Sequence, residues 1–165
     1  MKVPNFKVLA NDLNPEAVAC MRENIKLNKV EKKVLPFCMD ARDYARMLID
    51  KNDKSEAKKN IPIEFLRFDH IFMNLPMIAV EFLDVFIGLF NEADPEIWKR
   101  EGKIKLPIIH VYGFTAKAEP EVCKSVFVTR IGKAMNFPGF ASANIISFHQ
   151  IRDVSGASHM FSTSF

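Results

Sequence analysis

Short apolar runs alternate along the chain with segments in which apolar residues recur at helical spacing. The apolar runs predict six β-strands, at residues 6–10, 34–38, 69–73, 107–114, 143–151 and 159–165. The helical spacing predicts helices at residues 15–28, 41–49, 77–90, 94–100 and 119–134. Asn14 is a suitable N-cap before Pro15, which is tolerated at the first helical position. Residues 51–60 are lysine-rich without periodicity and are predicted to form a loop.

Repetition of strand, helix and strand with short connections predicts a parallel α/β sheet with helices on both faces. The last two strands are joined by residues 155–157, a turn too short for a crossover helix, so these strands should be antiparallel. We therefore expect an α/β fold with a doubly wound, Rossmann-like sheet that is mostly parallel and ends in an antiparallel hairpin. Residues 1–165 are expected to form a single domain.

Composition narrows the class of protein without identifying it. Of the 165 residues, 48% are hydrophobic and 26% are charged, which is typical of soluble globular domains. The net charge of +3 permits RNA binding without indicating it. The three Cys residues form no CxxC pair and the four His residues have no metal-ligand spacing, so we expect free thiols, a reducing compartment and no metal site. No apolar run reaches transmembrane length, so we expect no membrane association.

Polar residues directly after predicted strands are the strongest candidates for function, because ligands of open α/β sheets bind beyond the carboxyl ends of the strands. Asp12 follows the first strand, where a carboxylate can accept two hydrogen bonds from a ribose diol. Asp12 could instead cap the next helix, but Asn14 is better placed for that role. Asp40, between Met39 and Ala41, follows the second strand. Its carboxylate could equally accept a hydrogen bond from an adenine amino group or cap the next helix.

A third cluster, Met-Asn-Leu-Pro at residues 73–76, ends the third predicted strand. Pro76 fixes its own torsion and restricts Leu75, so the turn is stiff. Such a turn can aim the Asn74 amide and a backbone carbonyl at the edge of a nucleobase. A simple turn before a helix is the alternative interpretation.

In this order and spacing, the three clusters resemble the tRNA (guanine-37, N1)-methyltransferases of eukaryotes and archaea. Residues 10–15 and 24–30 are similar to the second-strand signature of that family, and Asn-Leu-Pro at residues 74–76 is similar to another of its motifs. The resemblance continues through residues 72–82, 107–112, 151–155 and 160–165, and so covers nearly the whole chain.

This resemblance implies a class I methyltransferase fold, S-adenosylmethionine as cofactor and tRNA as partner. It implies cofactor-binding roles for Asp12, Leu13, Asp40, Ala41 and Asn74, and catalytic roles for Asn74 and Pro76. Asp12 would bind the ribose, with Leu13 packed on the adenine, and Asp40 would accept from the adenine amino group. The reaction implied is attack by N1 of guanine 37 on the sulfonium methyl, which requires a base and close alignment.

The sequence also departs from the family pattern. The family has a Gly-rich loop after its first strand, and only eleven residues precede Asp12 here, none of which forms such a loop. The general-base Glu, an Arg near the substrate and a small tRNA-recognising module also lie upstream in the family. We therefore expect the chain to lack the first strand and the Gly-rich loop, to bind cofactor weakly or not at all, and to be inactive alone.

Two alternatives remain open. The first is the related enzyme that transfers the aminocarboxypropyl group of the same cofactor during wybutosine synthesis, a family that lacks Asn-Leu-Pro. The second is a non-catalytic α/β module that binds a partner or RNA. Four lysines, Lys51, Lys54, Lys58 and Lys59, could contact phosphates, although interspersed acids favour a solvated loop. We expect a cytoplasmic monomer, with the nucleus or mitochondrial matrix as alternative locations.

Overall fold

The computed structural model describes residues 6–75 and 77–165. Residues 6–68 and 89–104 form one compact unit, and residues 69–75, 77–88 and 105–165 form another. Within the described ranges, no helix is long and apolar enough to cross a membrane.

The first unit begins with a β-α-β-α segment. Its elements are β1 (Val8–Asp12), α1 (Pro15–Leu27), β2 (Val34–Cys38) and α2 (Ala41–Ile49). The two strands are parallel, with Val8 opposite Val34 and Asp12 opposite Cys38. Because the strands are in register, their carboxyl ends lie side by side. As predicted, Asn14 caps α1 by accepting a hydrogen bond from the backbone N–H of Glu16.

The remainder of the first unit consists of short elements. They are α3 (Glu56–Lys59), α4 (Ile63–Leu66), a 3-10 helix (Leu89–Glu92), α5 (Pro95–Trp98), β4 (Lys99–Arg100) and β5 (Lys103–Ile104). The prediction of a loop at 51–60 is wrong in part, because Ser55 caps α3 within it. A buried cluster of Met47, Leu48, Ile61, Phe65 and Leu66 forms the core of this unit.

The second unit contains a mixed four-stranded sheet. Its elements are β3 (His70–Met73), a 3-10 helix (Glu81–Phe86), β6 (Ile108–Ala116), α6 (Pro120–Ala134), a 3-10 helix (Ser142–Asn144), β7 (Ser147–Ser155) and β8 (Ser158–Ser164). The strand order is β3-β6-β8-β7, with β3 parallel to β6. β8 is antiparallel to both of its neighbours, which confirms the predicted C-terminal hairpin.

A close approach between β6 and α6 organises the core of the second unit. Val111, Phe127 and Phe161 are almost completely buried there. Gly113 lies opposite the Phe127 ring, where a Cβ atom would be only 2.8 Å from Phe127 Cζ. The absence of a side chain at Gly113 therefore allows α6 to pack directly on the sheet.

Several predicted elements differ from the structure. The helix predicted at 94–100 ends at Trp98, and Lys99–Arg100 form β4 instead. The predicted helix at residues 77–90 is wrong: turn residues 77–80 lead into the 3-10 helix Glu81–Phe86, which ends before Gly88. Gly88 has φ of 69°, outside the right-handed helical region, so it interrupts the segment. The strand predicted at 143–151 begins later, at Ser147, because the Asn144 N–H donates to the Ala141 carbonyl and closes a 3-10 turn before it.

Candidate functional site

At the carboxyl end of β1, Asp12 is exposed. Its Oδ1 accepts a hydrogen bond of 2.8 Å from the backbone N–H of Asn14. This contact forms an Asx turn that sets the entry into α1, while Asn14 itself caps the helix. Asp12 is therefore held at the strand end, with its carboxylate in solvent. Next to it, the side chain of Leu13 is 68% exposed.

Asn11 joins the ends of the two parallel strands. Its Nδ2 donates to the Met39 carbonyl at 2.9 Å, and its Oδ1 accepts from the Met39 N–H at 3.0 Å. Sequence analysis did not identify this residue. The available signal was an amide side chain directly before Asp12 in an otherwise apolar strand. The paired hydrogen bonds fix the position of Asp12 relative to the segment that follows β2.

Asp40 has the capping role that the sequence left open. Its Oδ1 accepts from the backbone N–H of Arg42 at 2.8 Å and from that of Asp43 at 3.3 Å. Asp40 is thus the N-cap of α2, whose first residue is Ala41. Both Asp40 and Ala41 are half-buried. Both capping hydrogen bonds are to Oδ1, so the capping role and a ligand contact through Oδ2 are compatible.

These residues form one edge within the first unit. It offers the Asp12 and Asp40 carboxylates as acceptors and Leu13 as an exposed apolar surface. Cys38 Sγ approaches the Leu13 carbonyl at 3.7 Å, which adds a weak link between the two strand ends. Acceptors for hydroxyl and amino groups beside an apolar surface match the chemistry of a nucleoside.

In the second unit, Asn74 follows β3 and is exposed. The Leu75 carbonyl accepts hydrogen bonds from the N–H groups of Ile78 at 2.9 Å and Ala79 at 2.7 Å, so the chain turns directly after Asn74. Pro76 lies outside the described residues. The geometry thus places the Asn74 amide at the carboxyl end of a parallel strand, as the sequence predicted.

A hydrogen-bonded histidine pair crosses the sheet of the second unit. His70 Nδ1 lies 2.9 Å from His110 Nε2, and His110 Nδ1 lies 2.8 Å from Ser164 Oγ. The ring of Phe72 stacks on His110 with centroids 4.4 Å apart. Burial and the neighbouring His70 lower the pKa of His110. The cluster therefore links three strands, β3, β6 and β8.

Two of the lysines in the predicted loop have structural partners. Lys58 Nζ donates to the carbonyls of Leu48, at 3.2 Å, and of Asp50, at the end of α2. Its pKa is lowered, mainly by burial. Lys59 pairs with Glu56 at 2.6 Å. Among the described residues, no group of three or more His, Cys, Asp or Glu side chains could hold a metal ion.

The strand and helix arrangement defines a Rossmann-like class I methyltransferase fold. The crystal structure of M. jannaschii TYW2 in complex with AdoMet superposes on this chain with a TM-score of 0.57 and 19% sequence identity. The superposition covers 98% of this chain and 57% of that one. The P. horikoshii TYW2 in complex with MeSAdo gives a TM-score of 0.54 at 20% identity, over 96% of this chain and 47% of that one. These likenesses confirm the predicted fold class.

Residues 3–94 match the model of the TRM5/TYW2 methyltransferase domain. This match covers more than half of the chain, and the chain belongs to that family. The resemblance drawn from the sequence motifs is thereby confirmed.

The chain is also similar to longer curated proteins. A tRNA (guanine(37)-N(1))-methyltransferase of Paramecium tetraurelia is 38% identical over 161 residues, which cover 98% of this chain and 33% of the relative. A protein of the same name from Candida albicans is 35% identical, and the match covers 42% of its length. The tRNA (guanine(37)-N(1))-methyltransferase 1 of Vitis vinifera is also 35% identical, and the match covers 22% of its length. The chain thus spans less than half the length of these relatives.

Proposed function

We propose that this chain forms the S-adenosylmethionine-binding part of an enzyme that methylates N1 of guanine 37 in tRNA. The observation that carries the proposal is the edge formed by Asp12, Leu13 and Asp40, which the paired hydrogen bonds between Asn11 and Met39 hold together. Membership of the TRM5/TYW2 methyltransferase family and the names of the relatives support the same reaction.

The residues at this edge fit the nucleoside part of the cofactor. Asp12 is proposed to accept hydrogen bonds from both ribose hydroxyls, since its carboxylate is exposed at the strand end. Leu13 is proposed to cover one face of the adenine, and Asp40 to accept from the adenine amino group while it caps α2. When bound, the cofactor supplies an electrophilic methyl group on a sulfonium.

Asn74 is proposed to contact the target guanine. Its amide has both a donor and an acceptor, which can orient the Watson–Crick edge of a base. Pro76 is proposed to stiffen the turn that presents Asn74, because proline fixes its own torsion and restricts the residue before it. Both residues would act by alignment of the base, and removal of the N1 proton requires a separate general base.

The cofactor site can be tested by NMR, which detects weak binding in a chain of 18.9 kDa. Titration with S-adenosylmethionine should shift the backbone amide signals of residues 11–13 and 39–41 before others. Adenosine should shift the same signals, because the proposed contacts are to the nucleoside. Shifts at other positions, or none at millimolar cofactor, would show that this edge does not bind the nucleoside.

Methyl transfer and the alternative, aminocarboxypropyl transfer, differ in the group that becomes attached to tRNA. The Asn-Leu-Pro sequence at residues 74–76 favours methyl transfer over aminocarboxypropyl transfer. The enzyme that contains this chain should be assayed with cofactor labelled in the methyl group and, separately, with cofactor labelled in the aminocarboxypropyl group. Label in tRNA from the methyl group alone supports the proposal, and label from the aminocarboxypropyl group alone contradicts it.

A further inference from the structure

The turn between α1 and β2 carries a concentration of positive charge. Residues 26–33 contain Lys26, Lys29, Lys32 and Lys33 but a single acid, Glu31, and so have a net charge of +3. The whole chain also has a net charge of +3, so the rest of the chain is neutral overall. Four of the 23 Lys and Arg residues of the chain thus lie within eight positions.

The structure leaves most of this charge accessible. Lys26, Lys29 and Lys32 are exposed, and none of them forms an ion pair within the part of the chain that the structure describes. Lys33 Nζ lies 4.8 Å above the Phe6 ring. Lys29 has φ of 55°, in the left-handed region that favours glycine. A lysine at this position is therefore not explained by backbone conformation.

Two of the four lysines at residues 51–60 differ in this respect. Lys58 binds carbonyl oxygens at the end of α2, and Lys59 is paired with Glu56. These contacts occupy the ammonium groups that could otherwise meet a phosphate. Attraction to the α1 dipole accounts for Lys26 in the last turn of the helix, but not for the lysines that follow it.

The basic turn lies at the amino end of β2, because β2 begins at Val34. Asp12 and Asp40 lie at the carboxyl ends of β1 and β2. A strand of five residues spans roughly 17 Å, so the two features lie at opposite edges of the sheet. A ligand of the basic turn is therefore distinct from the nucleoside at the other edge.

We propose that residues 26–33 form a binding surface for the phosphate backbone of tRNA, separate from the cofactor edge. The identification of the polyanion as tRNA rests on the proposed function. Exposed, unpaired lysines neutralise phosphates without reading sequence and release condensed counterions. The surface contributes affinity for the body of the RNA, and the chemistry takes place at the opposite edge.

A matched pair of variants tests the surface. Lys29→Gly/Lys32→Gln removes two charges from the turn, and Lys51→Gln/Lys54→Gln removes two from an exposed loop of the same unit. Binding of a tRNA transcript should be measured by fluorescence anisotropy between about 50 and 200 mM salt. The turn variant should bind about tenfold more weakly at the low-salt end, and the slope of log K against log salt should fall by about 2. The loop variant should bind as the unmodified chain does.

The stability of the turn variant separates binding from folding. Glycine is favoured at the left-handed position of Lys29, so urea unfolding should show unchanged or increased stability despite the weaker binding. Equal weakening by the two variants, or none by the turn variant, would overturn the proposal. So would an unmodified chain that fails to bind tRNA at low salt, or that binds anionic lipid vesicles instead. Cofactor-induced shifts at residues 11–13 are independent of these outcomes and report on the proposed function alone.

Discussion

Asn11 and Met39 exchange two hydrogen bonds, of 2.9 and 3.0 Å, between the ends of neighbouring parallel strands. The amide of Asn11 acts as both donor and acceptor towards the backbone of Met39, which continues the β1–β2 ladder by one residue. Because Asp12 follows Asn11 and Asp40 follows Met39, this pair sets the separation of the two carboxylates. The position of the candidate cofactor edge therefore depends on a residue that is not itself expected to touch the cofactor.

Replacement of Asn11 by alanine should destabilise the chain. The substitution leaves the N–H and carbonyl of Met39 without their partner in a half-buried position, which should cost about 1–2 kcal/mol. Urea unfolding measures the loss. Asn52→Ala, in an exposed loop, is the matched control and should change stability by less than about 0.5 kcal/mol. Equal stability of the Asn11 variant and the unmodified chain would show that the pair does not hold the strand ends.

Variants of Asp40 should separate its two roles. Asp40→Asn retains an oxygen that can accept from the Arg42 N–H, so helix α2 should keep most of its stability. Asp40→Ala removes the cap and should cost about 1 kcal/mol in urea unfolding. Both variants should weaken cofactor binding in NMR titrations, since the amide of Asn is a poorer acceptor than a carboxylate. Normal cofactor binding by both variants would restrict Asp40 to capping.

The stability of the chain should fall when the pH drops below neutrality. The pKa of His110 is lowered from 6.5 in the folded chain by burial and by His70. The unfolded chain therefore binds the proton more readily, and the stabilisation is complete above pH 6.5 and lost as the pH falls through the lowered pKa. Thermal unfolding at pH 7.5 and at successively lower pH values measures the loss.

A non-titrating replacement provides the control for His110. Gln can still form hydrogen bonds to His70 and Ser164 without gaining a charge. The His110→Gln variant should therefore show a flatter dependence of melting temperature on pH than the unmodified chain. The same dependence in both proteins would assign the loss of stability to other groups.

Gly113→Ala should destabilise the core of the second unit. The added Cβ would lie 2.8 Å from Phe127 Cζ and 3.0 Å from Cε1, and Phe127 is fully buried. Such overpacking costs about 1–3 kcal/mol. A second substitution, Phe127→Leu, removes the clashing ring atoms, so the double variant should be more stable than the sum of the single changes predicts. Additive effects in urea unfolding would contradict a direct contact between these residues.

Local patterns in the sequence predicted several elements well. The limits of β2 and α2 match the prediction, and Asn14 and Pro15 start α1 as expected. These elements depend on signals within a few residues, such as a cap before an amphipathic run. The helix predicted at 77–90 is instead a turn followed by a 3-10 helix, and the positive φ of Gly88 after it is not revealed by periodicity.

The contacts that organise the candidate sites were not predictable in the same way. Asn11 meets Met39 across 28 positions, and His70 meets His110 across 40. Pairs of this kind depend on which strands pair and in which register, and local patterns of the sequence do not reveal this for strands that are distant along the chain. The strand-end positions of Asp12, Asp40 and Asn74 were predictable, because the alternation of strands and helices alone places them there. Pro76 and its role in the turn remain a prediction.

The central claim is that Asp12 binds the ribose of S-adenosylmethionine, and one comparison of affinities tests it most directly. Asp12→Asn retains an oxygen for the Asn14 N–H but loses the carboxylate, and Asp43→Asn makes the same change at an exposed position of α2. NMR titration of the three proteins should show that Asp12→Asn binds at least about tenfold more weakly, while Asp43→Asn binds as the unmodified chain does. Equal affinity of all three proteins would contradict the assignment of the cofactor site to the end of β1.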